Sequence, residues 1–525
     1  MKTILKTYAI AASAILFAGA VAGCTGSFED YNTNPHEPTP DQMKGDNAST
    51  AALIQAALPA LCQTGENTGQ VVEQMIGCEY GGMTAPTYQW NSAYDYTTYN
   101  PGITVYGDVF DITMPQIYTS YFQIRDLTES SGLVYQWMRI LRVAGSLRVS
   151  DCYGPIPYSK ITGDEYTVAY DSMDELYDAM FEDLDEAIDA ISSAVNNGNS
   201  IVSSLKDADP IYNGDFSKWV KFANTLKLRM AIRISNVKSQ LAKTKAEEAA
   251  NHPIGVMTSV SDSAYNPDND KSMNPLYRIA WTWNGGEVRI SANITSYMNG
   301  YSDPRLPVYA TQASNGTYAG VRHGLPTYLR TNAQAACSNI NLAVNAPMLI
   351  MSAAEAWFLK AEAALNGWNI LGGTAREFYE KGVQVSMEEH GVEIGNYLSR
   401  TSSPAYYTDP LGSYSASAPS SISPRYNDGD GTELNRERIL VQKWLANFPN
   451  GWETWADIRR TGYPKFMQVV NNYGTSDDVT TTRGMRRLRY PASEYNTNAD
   501  NVNAAVGMLG GEDKFGTDLW WAKRY

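Results

Sequence analysis

From Ser172 to Ile191 the residues Met173, Leu176, Tyr177, Met180, Leu184, Ala187, Ile188 and Ile191 fall on one stripe with acids opposite, the pattern of a helix that must hide one face. Ser172 and Glu175 mark its start as a capping box. A second such helix runs from Phe216 to Ile234, with Trp219, Ala223, Leu226 and Met230 inward. A third spans Pro347 to Leu365, striped by Met351, Ala354, Phe358, Ala361 and Leu365 and closed by Asn366-Gly367. Thr374 and Glu377 then form another capping box, and Ala375, Tyr379, Val383 and Met387 follow at every fourth position. The short turn between the last two helices predicts an antiparallel hairpin. Helical patterns at 46 to 78, 109 to 130, 132 to 150 and 433 to 447 complete about four hairpins, and an all-α fold is expected. No residue signature recurs at a fixed period, so any repeat is structural only.

Three segments resist helical assignment: 79 to 108, 261 to 346 and 391 to 432, all rich in Gly, Pro, Asn, Ser and Tyr. Loops of that length in a compact domain are usually functional or disordered, and the abundant Trp and Tyr of the first two argue against disorder. The chain carries 35 Tyr and 12 Trp against 12 Phe, which favours rings with a polar handle for wet surfaces that must still grip something. Sugars present apolar C–H faces ringed by hydroxyls, so a sugar site needs flat aromatic platforms beside planar hydrogen-bonding groups. Residues 86 to 101 supply Tyr88, Gln89, Trp90, Asn91, Tyr94, Asp95, Tyr96 and Tyr99, and residues 281 to 289 supply Trp281, Trp283, Asn284, Glu287 and Arg289. From these, the candidate ligand residues are Tyr88, Gln89, Trp90, Asn91, Tyr94, Tyr96, Trp281, Trp283, Asn284 and Arg289. Trp281 and Trp283, two apart, share a face if the backbone is extended. The competing reading is that these aromatics plug the loops against the helices or face a protein partner.

The N-terminus reads as an address. Lys2 and Lys6 precede an apolar run from Ile10 to Ala22 that ends in Val21-Ala22-Gly23-Cys24, too short to span a bilayer comfortably and shaped like a secretory signal. Its ending resembles the lipobox of bacterial lipoproteins, with cleavage before Cys24 and lipid on the Cys24 thiol. The expected division is therefore a signal peptide at 1–23, a lipidated tether at 24–45, rich in turn formers, and one ligand-binding domain at 46–525. Acyl chains on Cys24 would anchor the chain to a membrane that it does not cross. Glu29 and Asp30 resemble an acidic signal for export to the outer cell face, or equally a solvated tether.

Other chemistries find little support. A net charge of −15 without a Lys/Arg cluster excludes a nucleic-acid partner. Cys62, Cys78, Cys152 and Cys337 form no Cys-x-x-Cys pair, so buried free thiols are expected ahead of a single disulfide. There is no Gly-x-Ser-x-Gly elbow, no His-Glu-x-x-His and no phosphate-cradling loop. Two carboxylates suffice for a glycosidase, so Glu73, Asp95, Asp108, Asp111 and Glu287 stay open. No cofactor is expected. Residues 427 to 433 (NDGDGTE) suggest calcium only weakly and read better as a polar turn before the helix from Glu433, and Asp262, Asp268 and Asp270 are treated alike. Trp444, Trp452 and Trp455 are spaced as core, and Asp151 and Tyr153 read as a structural turn.

Together these stretches resemble a family. The lipobox followed by FEDYNTNP at 28 to 35, DCYGPIPYS at 151 to 159, DFSKWVKFANTLKLRMAIRIS at 215 to 235, YSDPRLPVY at 301 to 309, APMLIMSAAEAWFLKAEAALNGW at 346 to 368 and ERILVQKWLANFPNGWETWADIRRTGYP at 437 to 464 are similar to the SusD/RagB outer-membrane nutrient-binding lipoproteins, in particular the SusD-like branch. The resemblance implies a core of tetratricopeptide-like helix hairpins in a single domain with a loop-rich face. It further implies a lid over a TonB-dependent, SusC-like barrel transporter, capturing glycan at the exterior of the outer membrane without covalent chemistry. A peptide-binding or other nutrient-binding subunit of such a complex is the alternative, a surface glycoside hydrolase the next, and a helical adaptor without cargo the last. Ligand loops vary in this family, so no site residue is carried over from it.

Overall fold

Both capping boxes form. The Ser172 hydroxyl accepts from the Glu175 amide while the Glu175 carboxylate accepts from the Ser172 amide at 2.9 Å, opening the helix Met173–Asn196. Thr374 and Glu377 make the same exchange at the start of Ala375–Glu389. The computed structural model describes residues 47–89, 94–102, 105–199, 203–267 and 273–523, so Cys24 and the tether lie outside the described residues.

The helices pair in sequence order. Asp108–Leu127 packs on Gly132–Tyr153, Met173–Asn196 on Phe216–Arg233, Ala353–Leu365 on Ala375–Glu389, and Gly431–Ala446 on Trp452–Thr461. Ser239–Ala250 adds a further helix against Phe216–Arg233, which also packs on Ala353–Leu365. The hairpin scaffold expected from the periodicity is thus present, with one continuous apolar core that includes Trp219, Leu184, Phe358 and Trp444.

Three expectations about local structure need correction. The pattern at 46 to 78 is not one helix: Ala48–Ala57 ends in a tight turn at Leu58–Ala60, and after Gly65 the chain winds again through Glu66–Thr68 into a wide π-type turn over Gly69–Cys78. Pro59 and Gly65 break the run. The segment expected to open a helix at Pro347 is a strand, Met348–Met351, paired antiparallel with Ala264–Asn266; the helix starts only where Ser352 caps the Ala354 amide. Finally, 261 to 346 is not free of helix, since Ala292–Tyr301 and Arg330–Ala336 lie within it.

The junction between the hairpins is charged and buried. Arg229 pairs with Glu355 and Glu453, Arg233 with Asp151 and Glu453, Lys443 with Asp457, and Arg460 with Glu362 and Asp457. These groups come from five helices, and each buried charge has an opposite partner, the condition under which burying ions is tolerable. Burial alone would raise the Glu453 carboxyl, but Arg229, Arg233 and Lys443 overcome it and hold the group below the usual range. Asp151 therefore does more than end a helix. Trp444, Trp452 and Trp455 are buried in the core as their spacing suggested.

Candidate ligand-binding face

The two aromatic loops, distant in sequence, meet on a short sheet. Thr84–Pro86 pairs antiparallel with Val288–Ile290, Thr84 facing Ile290 and Pro86 facing Val288. The pairing continues as the Thr87 amide donates to the Glu287 carbonyl at 2.7 Å and the Thr87 hydroxyl to Gly286 O at 3.0 Å. Gly286 has φ 105°, and a Cβ there would sit 2.3 Å from Ala280 O, so only glycine lets the chain turn this closely.

The helix Arg330–Ala336 clamps both loops. Arg330 donates to Tyr88 O at 3.4 Å and pairs with Asp95 at 2.7 Å, Gln89 donates to the Thr331 hydroxyl at 3.4 Å, and Gln334 donates to Asn284 O at 3.0 Å. Arg330 and Gln334 are positioning residues that sequence reasoning missed, since a cation in a polar loop carries no signal of what it will clamp.

Trp281 lies at the surface, 40% exposed, in a π-type turn over Arg278–Thr282. Its indole donates to Ile340 O at 2.9 Å, which fixes the ring plane. Tyr277, one turn earlier, lies nearly parallel to it, with centroids 6.3 Å apart and planes 24° apart. The flat platform is therefore Tyr277 with Trp281. The expectation that Trp281 and Trp283 share the face of an extended strand is corrected: the turn separates them, and Trp283 packs on the core. Tyr277 was missed, although its place four residues before Trp281 in a helical turn was the available signal. Tyr328, 71% exposed, adds another ring in the short turn Thr327–Leu329 that leads into the helix from Arg330.

The remaining candidates divide. Tyr88 is half-buried and Gln89 exposed at the edge of the short sheet. Asn284 is exposed with φ 49°, and its amide donates to Glu287. Two candidates are corrected. Tyr96 is fully buried against Tyr80, because it sits in an inward-facing turn over Tyr96–Thr98. Arg289 is 7% exposed and donates to the carbonyls of Ala280, Gly285, Gly286, Val288 and Gln334. With no carboxylate among those partners, burial pulls its guanidinium down to about 10. It holds the loop together and has no free edge for ligand. Trp90 and Asn91 lie outside the described residues, as does the Tyr94 side chain, while the Tyr94 backbone pairs with Pro101.

The carboxylates kept open for hydrolysis are mostly occupied. Glu287 is buried and accepts from Gln70 and Asn284, burial pushing its carboxyl above the usual range against those two bonds. Glu73 is held by Arg148 and the Trp452 indole, and Asp95 by Arg330. Asp108 and Asp111 sit together on the first turn of another helix, where burial lifts Asp108 to about 6. In the suggested calcium turn Asp428 pairs with Arg376 and Asp430 with Arg438. Asp262 accepts from Lys221 and backbone amides, while Asp268 and Asp270 lie outside the described residues. Among the described residues no cluster of three His, Cys, Asp or Glu could hold a metal, and Cys62, Cys78, Cys152 and Cys337 are buried free thiols. No described helix is long and apolar enough to cross a membrane.

The family model of SusD-like proteins, the SusD and RagB outer membrane lipoproteins, matches residues 30–522. The chain belongs to this family. A SusD-like protein from Bacteroides thetaiotaomicron is 39% identical with a TM-score of 0.83, over 90% of this chain and 99% of that one. A SusD homologue from Bacteroides uniformis is 36% identical with a TM-score of 0.85, over 91% and 99%. A chitin-binding SusD homologue from Flavobacterium johnsoniae is 34% identical with a TM-score of 0.84, over 92% and 99%. No functionally curated protein matches the chain. Membership in the SusD and RagB family makes it one of a group of outer membrane lipoproteins and accounts for the helix-hairpin scaffold.

Proposed function

We propose that this SusD-like chain is a glycan-capture subunit, displayed on the exterior of the outer membrane by lipid on Cys24. It holds oligosaccharide or polysaccharide on the loop face and passes it to a TonB-dependent, SusC-like barrel, with no covalent chemistry of its own. The observation that carries the reading is the Tyr277–Trp281 platform, two near-parallel rings at the surface on the segment that also carries exposed Asn284 and whose Glu287 carbonyl accepts from the Thr87 and Tyr88 amides. Ring faces beside planar polar groups suit the alternating C–H and hydroxyl faces of a pyranose. The chitin-binding relative supports the same class of cargo.

Retardation of the protein in native gels cast with a panel of polysaccharides tests the reading. Retardation by one glycan, lost in Tyr277→Ala/Trp281→Ala, supports it. Silence toward every glycan, with retention on immobilised peptides, would move the assignment to a peptide-binding subunit. Release of reducing ends by the purified protein would make it a hydrolase. Full glycan uptake in cells lacking the barrel transporter would remove the delivery step.

A further inference from the structure

A second cleft, of about 840 Å³, opens where the ends of five helices meet the C-terminal segment. Its walls come from Ser235–Ser239, Glu362–Trp368, Glu433–Arg436, Arg460–Thr461 and Trp520–Lys523, and it shares no residue with the Tyr277–Trp281 face. Its volume lies within the roughly 300 to 1,000 Å³ typical of small-molecule sites.

Two indoles border it. Trp368 follows the helix Ala353–Leu365 through a left-handed turn at Gly367, with the Gly367 amide donating to Ala364 O at 3.0 Å and the Trp368 amide to Ala363 O at 3.2 Å. This termination fixes Trp368 at the rim. Trp520, on the C-terminal segment, is likewise half-buried, its ring set against Tyr177. Between them stand planar polar groups held in place by their neighbours. Asn366 accepts from Arg436 at 2.8 Å, Arg436 also pairs with Glu433, and Asn236 donates to Arg460 O at 2.9 Å. The floor is Arg460, whose two terminal nitrogens reach Glu362 at 2.7 and 2.8 Å while its buried Nε has no hydrogen-bond partner.

The charge pattern selects among ligands. The three cations of the cleft are engaged: Arg460 faces Glu362, Arg436 faces Glu433, and Lys523 donates to Thr461 O at 3.3 Å. An anion would have to compete with those acceptors for the same donors. What the cleft offers instead is two half-buried indoles on its border and several fixed hydrogen-bonding edges, the residue types argued above for a sugar. We infer that this cleft is a second carbohydrate site, taking one or a few neutral sugar units, on a side of the scaffold built without the aromatic loops. The inference stands whether or not the Tyr277–Trp281 face binds glycan.

Fluorine NMR of the detergent-solubilised full lipoprotein, labelled with 5-fluorotryptophan, reads the two indoles directly. Trp368→Phe and Trp520→Phe assign their resonances. Titration with glucose, N-acetylglucosamine, maltotriose, xylotriose and chitotriose is expected to shift both signals saturably with at least one sugar, and equally in Tyr277→Ala/Trp281→Ala. Trp368→Ala should weaken that binding about tenfold, as reported by the Trp520 signal. Absence of a shift with every sugar, or a shift unchanged by Trp368→Ala, would overturn the proposal. A stronger response to glucuronate than to any neutral sugar would overturn its neutral-ligand assignment. Shifts confined to Trp281 would leave the glycan-capture reading standing and remove this one.

Discussion

Arg229 and Glu355 face each other through two parallel hydrogen bonds, Nε to Oε1 at 2.8 Å and Nη2 to Oε2 at 2.9 Å, across the contact between Phe216–Arg233 and Ala353–Leu365. Neither group has water to fall back on. Removing Glu355 leaves Arg229 only its longer contact with Glu453 at 3.5 Å, so Glu355→Ala should lower unfolding stability by ~3 kcal/mol. Arg229→Met/Glu355→Leu, which removes both charges, should lose much less. Urea denaturation of both variants checks the contrast; equal losses would mean that the pair contributes only packing.

His323 gives a pH signature. Its Nε2 donates to Thr84 O at 2.8 Å, and burial pulls the imidazole down to about 4. In the unfolded chain the group titrates near ~6.5. As pH falls through that window the unfolded state takes up a proton that the folded state refuses. The stabilising contribution of neutral His323 is therefore complete above ~6.5 and shrinks until about 4, a swing of about 3 kcal/mol. The stability difference between wild type and His323→Gln, followed from neutral to acidic pH, should fall in that interval. A flat difference would contradict a neutral, buried His323.

Two residues of one loop should separate binding from stability. Trp281→Ala removes an exposed ring and should weaken glycan retention about tenfold with little change in Tm. Arg289→Ala removes the donor to five backbone carbonyls and should cost ~2 kcal/mol or more of stability, from the hydrogen bonds of a charged group. Thermal unfolding and gel retardation on the same preparations distinguish the two. Retention lost in Arg289→Ala at full stability would return Arg289 to the ligand.

Cys24→Ala should release the protein from the membrane fraction. Fractionation of cells expressing wild type and variant measures this, and an unchanged distribution would exclude lipid on Cys24 as the anchor.

The scaffold was legible because its signals are local. Ser172 with Glu175, and Thr374 with Glu377, start helices through bonds made within one turn, and the stripe behind each needs only periodicity. The strand Met348–Met351 was not legible: four apolar residues suit either periodicity, and its pairing with Ala264–Asn266 is a long-range fact. The aromatic loops could be located by composition, yet composition does not separate Trp281 from Tyr96. Both are aromatic residues in irregular segments, and only burial shows that one faces out and the other in. Arg289 misled for a related reason, since a guanidinium suited to sugar hydroxyls is equally suited to carbonyls left bare by a glycine turn.

The short sheet of Thr84–Pro86 with Val288–Ile290 joins segments that stay far apart along the chain, Thr87 meeting Gly286 across 199 residues. Contacts of such separation close late in folding, after the local hairpins. A partly folded chain therefore carries its helices before it carries the joined loop face. The surface made by the two aromatic loops belongs to the finished tertiary fold and to neither loop alone.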